Sequence, residues 1–169
     1  MVTGMPGTGK TTLARILGGR LTLPVLEKDV IKETLFDTLG TGDVAWSQTL
    51  GTATYGLMIA TATSLLRASK SLILEANFFR GMEPQFAALP AHRTLQVHCG
   101  APLDVIVERY ATRPARHPGH LDAIRVDALR ERFESGLNGP LELAGELLEL
   151  DTTSASPDQL AETVLAKLS

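Results

Sequence analysis

The chain is poor in cysteine. A single thiol, Cys99, among 169 residues excludes an internal disulfide framework and a zinc module built on several thiols, and it suits a reducing compartment. Long apolar runs are missing too. The longest stretches, such as 141–150, are interrupted by Glu and Gly well short of the roughly 18 to 20 residues that a membrane-spanning helix needs. The amino-terminal residues lack the charged-then-apolar pattern of a secretory signal, because Gly4, Pro6, Gly7 and Gly9 break any apolar segment at its start. The expectation is a cytoplasmic protein that does not engage a membrane. Excess positive charge is likewise absent: 16 Lys and Arg face 19 Asp and Glu, a net charge of −3, which counts against a dedicated binder of long nucleic acid. With no repeat of 20 to 50 residues, no low-complexity tract and no Pro/Gly/Ser-rich linker, residues 1–169 read as one domain.

What is present is enough apolar side chain, 44% of the residues, to bury a continuous core. Strand and helix patterns alternate. Met1 to Thr3 reads as the end of a strand, and Thr11 to Gly18 as a helix on Leu13, Ile16 and Leu17, stopped by Gly18-Gly19. A short strand over 24–27 precedes a helix from about Val30 to Leu39 on Ile31, Leu35 and Leu39, closed by Gly40 to Gly42. Trp46 to Arg67 reads as a long amphipathic helix whose stripe is Trp46, Leu50, Ala53, Leu57, Ala60 and Ser64, opposite a threonine-rich face. Leu72–Leu74, Thr94–Cys99 and Leu147–Leu150 are further strands. Such alternation implies a mostly parallel sheet covered on both faces, with ligands held outside the carboxyl ends of its strands. Only three residues precede Gly4, so the first strand is expected to be short and poorly buried on its amino-terminal side. A start upstream of Met1 is one reading of that.

Gly4-Met5-Pro6-Gly7-Thr8-Gly9-Lys10-Thr11 satisfies the phosphate-loop pattern G-x-x-x-x-G-K-[ST] at every fixed position, between a strand end and a helix start. Glycines let successive N–H groups turn inward around an anion, and the following helix aims its positive end at the phosphates. Lys10 supplies an ammonium to the β and γ phosphates, and Thr11 a hydroxyl for Mg²⁺; Thr12 follows in the first helical turn. No guanine-specificity motif N-K-x-D appears, which favours ATP over GTP.

Four segments together, 4–13, Glu27-Lys28-Asp29-Val30-Ile31-Lys32-Glu33, Leu74-Glu75-Ala76-Asn77-Phe78 and Arg116-His117-Pro118-Gly119-His120, resemble the small P-loop kinases often labelled AAA-type ATPases. Their relatives in fold are chloramphenicol phosphotransferase, zeta-toxin kinases, polynucleotide kinase and the nucleotide-monophosphate kinases. The resemblance spans essentially the whole chain. It implies a three-layer α/β/α P-loop fold with a five-stranded sheet of order 2-3-1-4-5, an acceptor-binding helical region at about 44–68 and a lid at about 109–125. The sensor and arginine-finger elements of an AAA+ motor module are not found, so no remodelling ring is expected.

Asp29 follows directly on the second strand, where a carboxylate can orient and deprotonate an acceptor hydroxyl. In the relatives an aspartate has that role; the competing reading makes Asp29 the N-cap of the next helix. Glu75 ends an apolar strand, as the metal-reaching acid of P-loop proteins does, or else merely faces solvent. Asn77 is a candidate for acceptor or lid contact, or a turn residue. Arg109, Arg113, Arg116, His117 and His120 form a basic segment in which Arg113 and Arg116 are candidates to stabilise the transferred charge; the alternative is a solvated basic loop. Trp46 and Tyr55 are candidate walls of the acceptor site, with ordinary core packing the alternative for Trp46. Cys99 reads as a small buried residue.

The expectation is a kinase that uses ATP and Mg²⁺ to phosphorylate a hydroxyl of a small molecule of antibiotic, sugar or nucleoside type, as a monomer or weak homodimer. A nucleic-acid 5′-hydroxyl or nucleotide sugar as acceptor, and an ATP-binding switch without transfer, are the alternatives.

Overall fold

A computed structural model describes residues 1–112, 117–120 and 126–168. The chain runs β1 (Val2–Thr3), α1 (Lys10–Leu21), β2 (Val25–Glu27), α2 (Lys28–Leu39), α3 (Val44–Arg67), β3 (Ile73–Ala76), α4 (Glu83–Ala87), β4 (Leu95–Gly100), α5 (Leu103–Ala111), α6 (Val126–Glu134), β5 (Glu146–Asp151) and α7 (Pro157–Leu168). The strands pair in parallel in the order β2-β3-β1-β4-β5. From β1 the chain moves to one side for β2 and β3, then crosses to the other for β4 and β5, so the strand order reverses about β1. The crevice above that reversal is where parallel sheets bind ligands.

Strand residues alternate between two cores, as a period of two requires. Val2, Ile73, Val97, Cys99 and Leu150 pack against Leu13, Ala14 and Leu17 of α1 and Leu160, Ala161 and Val164 of α7. Leu74 and Ala76 face the other way, against Met58 and Ala62 of α3, Met82, Phe86 of α4, Phe78 and Leu141. Each fully buried Leu or Phe contributes about 1.5 to 3 kcal/mol. Burial pushes the Cys99 thiol up to about 12, so it stays protonated and unreactive, in line with its reading as a small core residue.

Three details depart from the sequence pattern. The helix α1 runs through Gly18-Gly19 and ends only at Thr22, whose left-handed conformation lets its N–H return to Gly18 and Gly19 carbonyls. Gly18 is there for packing: a Cβ at that position would overlap Val25. On α2, Leu39 is exposed and the buried residues are Lys32 and Phe36. On α3, the buried stripe is Ser47, Leu50, Thr54, Met58 and Ala62, while Ala53, Leu57, Ala60 and Ser64 are exposed. The hydroxyls hide this stripe from a hydrophobicity pattern; Thr54 is buried because its Oγ1 donates to the Leu50 carbonyl one turn back at 2.7 Å.

The described part of the central strand β1 is Val2–Thr3, both buried. The Met1 ammonium donates to the Leu95 carbonyl at 2.6 Å, and its burial lowers its pKa from 8.0 to about 6. Beside it, Leu72, Ile73, Leu95, Leu17, Leu66 and Phe86 line an apolar cavity of about 540 Å³.

Candidate active site

Two glycines shape the loop between β1 and α1. Gly4 has φ +140°, and a Cβ there would overlap the Cys99 carbonyl and stand 2.9 Å from Thr8 Oγ1. Gly9, with φ +77°, is the N-cap of α1 and has open space where its Cβ would be, so its requirement is conformational only. Thr8 Oγ1 donates to the Met5 carbonyl at 2.8 Å, and Lys10 Nζ reaches the same oxygen at 3.4 Å. The first turn of α1 carries no acidic residue. Its amino-terminal N–H groups and positive dipole end therefore face the loop with no carboxylate of that turn opposing them, which is the electrostatics an anion requires.

Glu75 does not face solvent. It lies within β3, 3% exposed, and its Oε1 accepts a 2.9 Å hydrogen bond from Thr11 Oγ1 and stands 3.7 Å from Lys10 Nζ. Burial raises its pKa, opposed by the Lys10 charge and the Thr11 hydroxyl. A hydroxyl oxygen and a carboxylate oxygen converging beside the phosphate loop are hard donors of the kind Mg²⁺ prefers, with phosphate oxygens and water completing the shell. Among the described residues no group of three or more His, Cys, Asp or Glu could hold a metal by itself. Thr11 and Glu75 thus suit a cation that shares its ligands with a nucleotide.

Asp29 is the second residue of α2, and the N-cap position belongs to Glu27 in extended conformation, so the capping alternative is set aside. Its carboxylate stands 3.5 Å from Lys28 Nζ, half exposed, and is electrostatically coupled to both Tyr55 and Glu75. Tyr55 donates its hydroxyl to the Asn77 carbonyl at 3.2 Å and to Asn77 Oδ1 at 3.3 Å, with its ring against Phe78 and Phe79. Burial pushes the phenol well above its ordinary pKa, so Tyr55 is a neutral donor. Asp29, Tyr55, Asn77, Glu75 and the loop thus share one rim of the sheet. Trp46 stands apart. It lies nine residues before Tyr55 on α3, about 13 Å along the axis, with its Nε1 donating to the Gly40 carbonyl at 2.9 Å.

Of the basic segment, Arg109 belongs to α5 and is held by the Thr152 hydroxyl at 3.0 Å and the Thr152 carbonyl at 3.1 Å. His117 and His120 meet carboxylates of α2. Arg113 and Arg116 lie outside the described residues.

The sequence reading missed two groups. Thr152, Thr153 and Pro157 join Arg109, Gly9 and Thr12 around a cavity of about 610 Å³ beside the loop, a volume in the range of small-molecule clefts. The turn after β5 carries no motif, so only folding brings it there. Asn138 is buried and donates to the Asn77 carbonyl at 3.2 Å and the Phe78 carbonyl at 3.1 Å, fixing the segment after β3. With Arg132 it lines a small cavity that Met5 and Thr8 also border. A lone Asn 61 residues downstream of its partner gives no sequence signal.

Sheet order, loop geometry and the acid on β3 define a three-layer P-loop protein. Residues 1–135 match the family model described as AAA domain, and the chain belongs to that family. It is similar to the crystal structure of a protein assigned as a kinase from Chloroflexus aurantiacus J-10-fl, at 37% identity and TM-score 0.85, over 98% of this chain and 95% of that one. A sugar kinase from Janibacter sp. HTCC2649 aligns at 20% identity and TM-score 0.70, over 99% and 91%. Shikimate kinase from Acinetobacter baumannii, in complex with shikimate, aligns at 20% identity and TM-score 0.61, over 98% and 89%. No curated protein matches the chain. The resemblance to small P-loop kinases in the sequence therefore holds at the level of family and fold.

Proposed function

We propose that the protein is an ATP-dependent phosphotransferase acting on a hydroxyl of a small molecule in the cytoplasm. The observation that carries the reading is the convergence, on one rim of the sheet, of a phosphate loop with its Lys10, Thr11 and Glu75 and of an independent carboxylate, Asp29, beside the Tyr55–Asn77 pair. A nucleotide-binding switch needs the first half of that arrangement and has no use for the second.

In this reading the amides of 4–12 and Lys10 hold the phosphates, and the cavity between Thr12, Arg109 and Thr152 receives the rest of the nucleotide. Thr11 and Glu75 would hold Mg²⁺, which supplies charge neutralisation at the phosphates. Asp29 accepts the proton of the acceptor hydroxyl as its oxygen bonds to the γ-phosphorus and ADP leaves. The α3 region at about 44–68 provides Tyr55 to the acceptor side. Arg113 and Arg116, in the lid at about 109–125, take the charge-stabilising role that the family resemblance implies for them.

The test is mass spectrometry of a pool of antibiotics, sugars and nucleosides incubated with Mg-ATP and either the native protein or Asp29→Asn. A product heavier by one phosphoryl group with the native protein, suppressed roughly 10² to 10⁴-fold in the variant, is expected. ATP binding with no product from any pool would favour the switch instead.

A further inference from the structure

The segment His117–His120 is docked on α2 by contacts that no phosphate chemistry requires. His117 Nε2 lies 3.0 Å from Asp37 Oδ1, and His120 Nε2, on a side chain only 1% exposed, lies 2.9 Å from Glu33 Oε1. The Gly119 N–H donates to His117 Nδ1 at 3.1 Å, which fixes that nitrogen as an acceptor in the neutral ring. The ring proton of His117 therefore sits on Nε2 and is donated to Asp37. Within the segment the His120 N–H donates to the His117 carbonyl at 2.9 Å, closing a turn over Pro118 and Gly119.

The turn straddles one aromatic ring. Phe36, 2% exposed, stacks on His117 with centroids 5.6 Å apart and 8° between planes, and meets His120 edge-on at 5.8 Å. Gly119 lies flat on the Phe36 face, so close that a Cβ would overlap three ring carbons. From the other side Ser47 Oγ of α3 reaches the Gly119 carbonyl at 3.5 Å and accepts from Lys32 Nζ at 2.9 Å. Lys32 is itself buried and lies 5.3 Å from the Phe36 centroid.

These contacts share one helix face with the candidate base. Asp29, Glu33 and Asp37 stand four residues apart on α2 and so form one axial row. The histidines take the lower two, and the row ends upward at Asp29. The α2 helix rests on the sheet through short strands and has only Lys32 and Phe36 as buried residues. Its buried polar and aromatic anchors are thus those that meet 117–120 and Ser47.

We propose that His117–His120 is a clasp whose grip on Phe36, Glu33 and Asp37 sets the position of α2 and, through it, of Asp29. His120 and Gly119 are positioning residues, and their grip governs the transfer rate while leaving nucleotide binding alone. The last step rests on the kinase reading of Asp29; the docking does not.

Gly119→Ala places a methyl group against Phe36, and Phe36→Leu in the same chain makes room for it. Hydrogen exchange of the amides of 28–39 is to be measured for the native protein, Gly119→Ala and the double variant, with the emission of Trp46, the single tryptophan and neighbour of Ser47, as a second report. The clasp predicts exchange faster by roughly ten-fold or more in Gly119→Ala, confined to α2 and the start of α3 and reversed in the double variant. Mg-ATP hydrolysis, with water as acceptor, should fall by up to roughly 10²-fold in kcat at unchanged KM for ATP. His120→Gln, which keeps a donor for Glu33, should retain more of kcat than His120→Ala. Unchanged exchange in α2, or equal acceleration in α7, overturns the clasp. Altered exchange with an unaltered kcat overturns its positioning role. If Asp29→Asn itself leaves kcat intact, the kinase reading fails while the docking result stands.

Discussion

The hydroxyl of Thr11 donates to Oε1 of Glu75 at 2.9 Å, tying the first turn of α1 to the only acid inside the central strands β1, β3 and β4. The same oxygen is 3.7 Å from Lys10 Nζ. Burial raises the carboxyl pKa above its ordinary 4.5. The folded state then holds this proton more tightly than the unfolded state, so the contribution to stability is full below pH 4.5 and is lost as pH rises through the folded pKa. Glu75→Gln removes the titration. The melting temperature of the variant relative to the native protein should increase as pH is raised above 4.5 and level off thereafter, and the Mg²⁺ dependence of nucleotide binding should be lost. A constant difference across that range would show that Glu75 is not strained by burial.

Lys10 is 8% exposed, between the Met5 carbonyl and Glu75. Lys10→Ala removes the ammonium that meets the phosphates and leaves Glu75 without its nearest cation. Charge-assisted contacts contribute about 1.5 to 3 kcal/mol, so ATP affinity should fall by roughly 10 to 100-fold in calorimetry. Asp29→Asn, half exposed at the acceptor side, should hold ATP affinity within a few-fold. Equal losses in the two variants would mean that Asp29 belongs to the nucleotide site.

The loop and the parallel sheet follow from features that sequence carries locally: the eight residues 4–11, apolar runs at strand length, and glycines at turns; the strand order comes only with the family resemblance. The position of Asp29 after β2 and of Glu75 in β3 is legible for the same reason, since strand ends define the rim. What is not legible depends on who lies opposite. Ser47 and Thr54 look like solvent-facing residues of α3 until Lys32 and the Leu50 carbonyl are seen to satisfy them. Asn138 and Thr152 meet their partners only across 61 and 43 residues. His117 and His120 read as basic because their acids, Asp37 and Glu33, sit 80 and 87 positions away on another helix. Gly18-Gly19 reads as a stop because a pattern cannot tell a glycine chosen for packing from one chosen for its φ.

That glycine pair gives a direct test. A Cβ at Gly18 would overlap Val25, whereas Gly19 has nothing within 4 Å and no positive φ. Gly19→Ala should stabilise the protein by about 0.5 to 1 kcal/mol through helix propensity alone. Gly18→Ala should destabilise it by about 1 to 3 kcal/mol through overpacking. Denaturant midpoints separate the two, and a destabilising Gly19→Ala would mean that the helix breaks at the doublet.

The amine of Met1 donates to the Leu95 carbonyl at the base of the sheet. Its burial lowers the pKa from 8.0 to about 6, so the unfolded chain binds more protons between those values. In a chain that begins at Met1, stability from this group is present above pH 8 and is lost as pH falls through 6, and the melting temperature should rise across that interval. The parallel register pairs Val2 with Glu75 and with Val97, so a residue joined directly ahead of Met1 would lie opposite Ile73 and Leu95. Both flank the apolar cavity of about 540 Å³. A chain carrying Val-Ile ahead of Met1 converts the ammonium into a peptide N–H that still donates to Leu95, and places an apolar side chain in that cavity. Filling it should add about 1 to 3 kcal/mol, or several degrees in melting temperature, and the rise between pH 6 and 8 should disappear. An extended chain that melts no higher and keeps the pH slope would show that the slope comes from another group and that the cavity does not accept a strand.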